Sequence, residues 1–86
     1  MLIARTDRFR RAYQRLTKQE RAQARKAVTL LARDPRHPGL RAKKIQGTEK
    51  IWEARASRSL RMTFHIEGNT IFLRNIGAHD RVLDKP

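Results

Sequence analysis

Apolar and polar residues alternate strictly through the second half of the chain. The apolar positions are Leu60, Met62, Phe64 and Ile66, and the polar positions between them are Arg61, Thr63 and His65. Successive side chains of a strand point to opposite faces, so this pattern predicts a half-buried β-strand. We predict strands at about 50–57, 59–66 and 70–76, with a tight turn at Glu67-Gly68-Asn69.

In the first half of the chain, most apolar residues recur with the spacing of a helix instead. Met1–Ala4 is a short apolar run that suits an edge strand. Thr6 or Asp7 can cap a helix whose apolar residues recur at i, i+3, i+4 and i+7 between Phe9 and Leu16.

A second helix is predicted directly after the first. Thr17 and Glu20 match a capping box, in which a threonine is followed three residues later by a glutamate. The apolar stripe of this helix is Ala24, Ala27, Val28 and Leu31, widened by Leu30. Two prolines and a glycine in Asp34–Gly39 end the helical hairpin.

The predicted order is β-α-α-β-β-β, which describes an α+β fold formed by one domain over residues 1–86. The helical hairpin packs on one face of a small antiparallel sheet. The residues predicted to face the helices are Leu60, Met62, Phe64, Ile66, Trp52, Ala54, Ile71 and Leu73. The residues predicted on the opposite, open face are Glu53, Arg55, Arg61, Thr63, His65 and Arg74.

Charge narrows the choice of partners. The 86 residues include 21 Lys and Arg against 8 Asp and Glu, for a formal net charge of +13. Such an excess repels itself, so we expect an anionic partner: RNA, DNA, an anionic membrane surface or an acidic protein. Most of the excess is arginine, whose planar fork binds phosphate through two hydrogen bonds.

The absence of cysteine excludes disulfides and thiolate metal sites, and is compatible with a cytoplasmic location. No apolar run has the length of a signal peptide or a membrane span. We therefore expect a soluble intracellular protein.

Two arginines on the open face are the first candidates for chemistry. Arg55 and Arg61 lie on adjacent predicted strands and point the same way. Like charges facing each other destabilise a sheet, so their pairing suggests that an anion belongs between them. The plain alternative is a pair of surface arginines whose stems cover apolar atoms.

His79 follows the last strand, where a chain end can place a side chain over the open face. Histidine is the side chain best suited to proton transfer near neutral pH, although a loop histidine without a role is the alternative. Asp80 either orients His79 or forms a local turn. The further candidate substrate contacts are Lys43, Lys44, Arg58, His65, Arg74 and Asp80.

The sequence offers no metal site and no cofactor site. Its three histidines have no spacing typical of metal ligands. No glycine-rich phosphate loop and no serine triad pattern occurs either.

These motifs, in their order, resemble the RelE/ParE superfamily of bacterial type II toxins. The residues that carry the resemblance are Trp52-x-x-Arg55, Leu60-Arg61-Met62-Thr63-Phe64, and Gly77-Ala78-His79-Asp80. The helical hairpin and the basic loop at 39–47 extend it over nearly the whole chain. RelE-like members are ribosome-dependent endoribonucleases that cut mRNA, whereas ParE-like members poison DNA gyrase without nuclease chemistry. An antitoxin encoded alongside neutralises members of both kinds.

The resemblance also implies roles for individual residues. In nuclease members an arginine at the place of Arg61 contacts the scissile phosphate, and a polar residue such as His79 assists proton transfer. Many members carry an aromatic residue shortly afterwards, where this chain has Leu83, and the residues up to Pro86 leave little room for a C-terminal helix.

The resulting expectation is a cytoplasmic, metal-independent mRNA interferase that inhibits translation through attack of the substrate's 2′-hydroxyl on the adjacent phosphate. Arg61 and Arg55 would stabilise the phosphoryl charge and His79 would transfer a proton. The identity of the second proton carrier stays open among His65, Asp80 and the ribosome.

The expected partners are mRNA on the ribosome and a cognate antitoxin. The antitoxin is expected to be acidic, or to use an amphipathic helix that covers the two helices or the cationic face. The alternatives are a ParE-like gyrase inhibitor and a non-catalytic nucleic-acid-binding module.

Overall fold

A computed structural model describes residues 1–86. Its elements are β1 (Leu2–Arg5), α1 (Asp7–Gln14), α2 (Lys18–Arg33), a 3₁₀ turn (Pro38–Leu40), β2 (Lys43–Lys44), β3 (Trp52–Arg55), β4 (Leu60–Glu67), β5 (Thr70–Ala78) and α3 (His79–Asp84). The α+β class is confirmed. No helix is both long and apolar enough to cross a membrane.

The five strands form one sheet in the order β1-β5-β4-β3-β2. Strands β3, β4 and β5 pair antiparallel, as predicted, the short β2 pairs antiparallel with β3, and β1 lies at one edge. However, β1 runs parallel to β5, so the sheet is mixed rather than wholly antiparallel. The helical hairpin starts from this edge and packs on the inner face of the sheet.

Both predicted helix starts are confirmed. The Thr6 hydroxyl accepts a hydrogen bond from the Phe9 N–H (3.1 Å) and lies 2.8 Å from the Leu73 carbonyl, to which it donates. Thr17 and Glu20 form the complete capping box, with bonds of 2.9 and 3.1 Å. Local sequence therefore determines where each helix begins.

The core is a cluster of 13 buried residues from α1, α2, the 3₁₀ turn and the inner face of the sheet. Phe9 and Leu31 from the helices meet Met62, Phe64 and Leu73 from the strands. Ile66, predicted to join them, is 40% exposed because it lies near the end of β4, where it borders an open groove.

One extra residue interrupts the pairing of β4 with β5. Phe64 pairs with Leu73 and Thr63 with Asn75, so Arg74 has no partner across the ladder and forms a β-bulge. The bulge carbonyls at Leu73 and Arg74 lie 2.8 and 3.3 Å from the Thr6 hydroxyl.

Two elements lie where the sequence predicted none. Lys43–Lys44 forms a short edge strand inside the expected basic loop. The six residues of α3 form a C-terminal helix, although little room for one was expected. The helix packs closely on the end of β5, where a Cβ built on Gly77 would make a tight contact of 3.3 Å with Val82 Cγ2.

The outer face of the sheet is only partly open. The Thr63 hydroxyl and Arg74 Nε both donate to the Pro86 oxygen, at 3.0 and 3.1 Å, and Asn75 Nδ2 donates to the Lys85 carbonyl. Thr63 is therefore fully buried, and its predicted exposure is wrong. The face stays open towards β3, where the candidate site lies.

We predict that Thr17→Ala destabilises the protein. The substitution removes the hydroxyl that accepts a hydrogen bond from the Glu20 N–H, which lowers the free energy of unfolding by about 1 kcal/mol. Urea unfolding should show a lower midpoint with an unchanged slope. Thr29→Ala is the matched control, because Thr29 is an exposed residue inside α2 that bonds only the Arg25 carbonyl. Equal losses in the two variants would contradict a specific role for the cap.

Candidate active site

A cleft of about 300 Å³ opens on the outer face beside β3. Its lining residues are Arg41, Lys43, Glu53, Ala54, Arg55, Arg61 and His79. The structure thus brings together Arg55, Arg61 and His79, the three predicted catalytic residues. Arg55 and Arg61 are direct cross-strand partners, as the alternation pattern suggested.

The β3–β4 turn fixes the position of Arg61. Its Nη1 donates to the carbonyl oxygens of Ser57 (2.7 Å), Arg58 (3.1 Å) and Leu60 (3.2 Å). These bonds use one guanidinium nitrogen, so Nε and Nη2 are left for a ligand. A guanidinium held in this way is preorganised to bind an anion.

The same turn anchors His79 at the start of α3. The backbone N–H of His79 donates to the Ser59 carbonyl (3.3 Å), which brings the end of β5 close to Arg61. The His79 side chain is about half exposed, and its Nδ1 lies 3.3 Å from Asp80 Oδ1. If Nδ1 carries the proton in this contact, Nε2 is left to exchange a proton with a ligand.

Positive charge is concentrated around Arg55. Burial lowers the pKa of the Arg55 guanidinium, and the neighbouring charges of Arg41, Arg61 and Arg58 lower it further. Its Nε is buried and has no hydrogen-bond partner. Arg58 acts on Arg55 through its charge from the exposed turn and does not line the cleft. An anion between these cations would relieve their repulsion.

Glu53 is the residue that the sequence analysis left out of the site. It was expected on the open face, but it is only 4% exposed, at the base of the cleft. Oε1 lies 3.3 Å from Lys43 Nζ, whereas Oε2 is buried without a partner. Its position two residues before Arg55 was a usable signal, because residues i and i+2 of a strand share a face. A carboxylate with a free oxygen can accept a proton.

Strand β2 separates the two predicted substrate lysines. Lys43 pairs with Glu53 and lines the cleft. Lys44 pairs with Trp52, and its Nζ lies 5.8 Å from the centre of the Trp52 ring, outside the cleft. Adjacent residues of a strand point to opposite faces, so only one lysine can reach the cleft.

His65 and Arg74 lie away from the cleft. Arg74 Nη1 donates to His65 Nδ1 (3.0 Å), and His65 Nε2 lies 3.5 Å from Glu67 Oε1. The imidazole also stacks on the Phe72 ring, with 5.0 Å between centroids. Both side chains are thus engaged with neighbours, and neither lines the cleft. No group of three or more His, Cys, Asp or Glu residues is placed to hold a metal ion.

Comparison with known proteins finds similarity in structure. No protein-family model matches the chain, and no curated protein matches its sequence. A metal-bound toxin from Helicobacter pylori superposes with a TM-score of 0.79 at 24% identity, covering 95% of this chain and 98% of that one. A YoeB/ParE toxin from Agrobacterium tumefaciens gives 0.77 at 15% identity, covering 92% and 99%. The RelBE2 toxin–antitoxin complex from Mycobacterium tuberculosis gives 0.76 at 19% identity, covering 91% and 96%.

We predict that inorganic phosphate stabilises the protein through the cleft. Because the pKa of Arg55 is lowered on folding, its positive charge opposes folding at every pH at which the side chain is protonated. A bound phosphate would offset this effect. Independently of Arg55, any ligand that binds only the folded state adds about 3 kcal/mol to the free energy of unfolding at 100 times its dissociation constant. Thermal unfolding in phosphate, against sodium chloride of equal ionic strength, measures the shift.

Variants make this measurement specific. Arg61→Gln should lose most of the phosphate-induced shift, whereas Arg10→Gln, which removes an exposed arginine of α1, should keep it. An equal shift in the wild type and both variants would mean that phosphate acts on the protein surface in general and not in the cleft.

Proposed function

We propose, given that the chain has the fold of RelE/ParE superfamily toxins, that it is the toxin of a type II toxin–antitoxin system and a ribosome-dependent endoribonuclease. Its substrate is mRNA, its site of action is the cytoplasm, and its effect is to stop translation. One observation carries the nuclease proposal: two arginines, a histidine and a buried carboxylate line the same cleft.

The arginines bind the scissile phosphate. Arg61, fixed by the β3–β4 turn, donates from Nε and Nη2 to the non-bridging oxygens, and Arg55 faces the same anion from the adjacent strand. Guanidinium groups stay charged and grip two oxygens, so they stabilise the negative charge that grows on the phosphoryl group. Removing one well-placed donor of this kind costs about 3–4 kcal/mol in the transition state.

Glu53 and His79 move the protons. Glu53 accepts the proton of the 2′-hydroxyl, whose oxygen attacks the adjacent phosphorus; the bond from phosphorus to the 5′-oxygen breaks, and protonated His79 donates a proton to that oxygen. The products are a 2′,3′-cyclic phosphate and a free 5′-hydroxyl. Lys43, which covers one oxygen of Glu53, has a side chain that is 72% exposed and can move to the phosphate when RNA binds. Glu53 thus fills the role of the second proton carrier.

The exposure of His79 supports dependence on the ribosome. Its side chain is about half exposed and the Asp80 carboxylate is fully exposed, so no enclosed pocket orders the substrate against them. Holding reactants in the right geometry can supply several kcal/mol of rate enhancement. A ribosome that presents the mRNA backbone to the cleft would supply that order.

A second surface suits the antitoxin. A groove of about 330 Å³ runs between α1 and α2, with an apolar floor that includes Phe9 and Val28. Its rim carries Arg5, Arg10 and Arg25. An acidic amphipathic helix would match this surface in both hydrophobicity and charge, as predicted for the face formed by the two helices.

We predict that Glu53→Gln and His79→Gln each abolish most cleavage. Loss of one proton carrier should slow translation-dependent mRNA cleavage by roughly 100- to 10,000-fold. The rate is measured on a programmed ribosome with purified protein. Glu49→Gln is the matched control, since Glu49 is an exposed loop residue. Full activity in both site variants would contradict the mechanism, provided that thermal unfolding shows each variant to be folded.

Expression in growing cells separates the nuclease from the gyrase inhibitor. We expect protein synthesis to stop first, and sequencing of RNA ends after brief induction to reveal new 5′ ends within translated messages. Arrested replication with intact transcripts would identify a gyrase poison. Salt-dependent RNA binding without cleavage or toxicity would identify a passive binding module.

A further inference from the structure

We propose that the inner side of the sheet carries a binding site for one unpaired RNA base, stacked on Trp52 beside the cleft. This inference rests on the proposed function, because it supplies a second contact for the same RNA substrate. It assigns Trp52 to base stacking and Arg41 to the phosphate that joins the two sites.

The site is a groove of about 500 Å³, named here the Trp52 groove. Trp52, Phe64 and Ile66 form its apolar wall, and Arg36 and Arg41 stand on its rim. Trp52 is partly buried and packs against the core, which holds its ring in place. The volume of the Trp52 groove lies in the range of pockets that bind small ligands.

The Trp52 ring already attracts a cation. Lys44 Nζ lies 5.8 Å from the ring centre, within the distance of a cation–π contact. Lys44 is exposed, so it can leave the ring for a phosphate when a base approaches. Stacking of a base on an aromatic ring then replaces a weaker contact at the surface.

Arg41 connects the groove to the cleft, because it lines both. It is the one residue other than glycine with a positive φ, at 46°. This left-handed conformation is costly for arginine, and it is maintained at the end of the 3₁₀ turn by the Arg41 N–H bond to the Pro38 carbonyl (3.2 Å). A phosphate bound by Arg41 would leave one neighbouring nucleotide at the cleft and the other at Trp52.

Charge and shape favour a nucleotide over other occupants. No acidic residue lines the groove, and its exposed cations Arg36 and Arg41, with Lys44 beside the ring, match a phosphate backbone. A flat ring flanked by cations suits single-stranded RNA, in which bases are free to stack on aromatic side chains.

Trp52 is the only tryptophan in the chain, so its fluorescence reports on the groove directly. The probe is a trinucleotide of 2′-O-methyl RNA, which lacks the attacking hydroxyl and cannot be cut. Matched probes carry an abasic nucleotide at each position in turn, with the same phosphates. We expect the intact probe to quench the fluorescence, and one abasic probe to bind about tenfold more weakly without quenching.

A second readout is the affinity of Trp52 variants for each probe, measured by the fluorescence anisotropy of a label on the RNA. Trp52→Phe should keep most of the preference for the intact probe over the abasic probe, whereas Trp52→Leu should lose it. Because Trp52 packs against the core, thermal unfolding is measured for both variants. The comparison of probes on the wild-type protein is independent of any loss of folding.

Equal affinity for intact and abasic probes would overturn the Trp52 site. A fluorescence change with protein concentration and no RNA would also overturn it, because a second copy of the chain would then occupy the groove. Either result together with normal mRNA cleavage leaves the proposed nuclease intact. Base-dependent quenching by a protein that cuts no mRNA on the ribosome would support the groove and reject the nuclease.

Discussion

The pairing of β3 with β4 makes two arginines direct partners across the sheet, and the repulsion between their charges is the main electrostatic constraint on the outer face. Arg55 and Arg61 are cross-strand partners, and Arg41 and Arg58 add positive charge around Arg55. Such a cluster is costly to the folded state. The turn carbonyls at Ser57, Arg58 and Leu60 stabilise Arg61 by accepting its hydrogen bonds. The remaining positive charge around Arg55 has no carboxylate beside it, which is the basis for proposing an anion there.

Glu53 has the opposite charge and lines the same cleft, where it is almost fully buried. Burying a carboxylate is costly unless it is paired, and only one of its two oxygens has a partner in Lys43. Because the unpaired Oε2 is shut off from solvent, Oε1 is the oxygen that a ligand would reach when the exposed Lys43 side chain moves away.

Local chemistry made part of the structure predictable. Thr17 and Glu20 cap α2 through residues only three apart, and the faces of Arg55 and Arg61 follow from the two-residue period of a strand. The rest depends on contacts between distant residues. The parallel pairing of β1, the burial of Thr63 under Pro86 and the exposure of Ile66 each result from how separate elements meet. Glu53 belongs to the same group, because its face was predictable and its burial was not.

The bulge at Arg74 determines which face of the sheet the last residues of β5 point to. Leu73 and Ile76 both face the core although two residues lie between them, whereas an uninterrupted strand has one residue between neighbours on the same face. The phase of the alternation therefore changes at the bulge, and Gly77 shares a face with Arg61. If the same residues paired with β4 without a bulge, Ile76 would lie opposite Arg61 on the outer face and Gly77 would face the helices. Evolution can therefore exchange side chains along β5 far more freely than it can insert or delete a single codon between Asn75 and His79, where such a change would turn the start of α3 to the other face of the sheet.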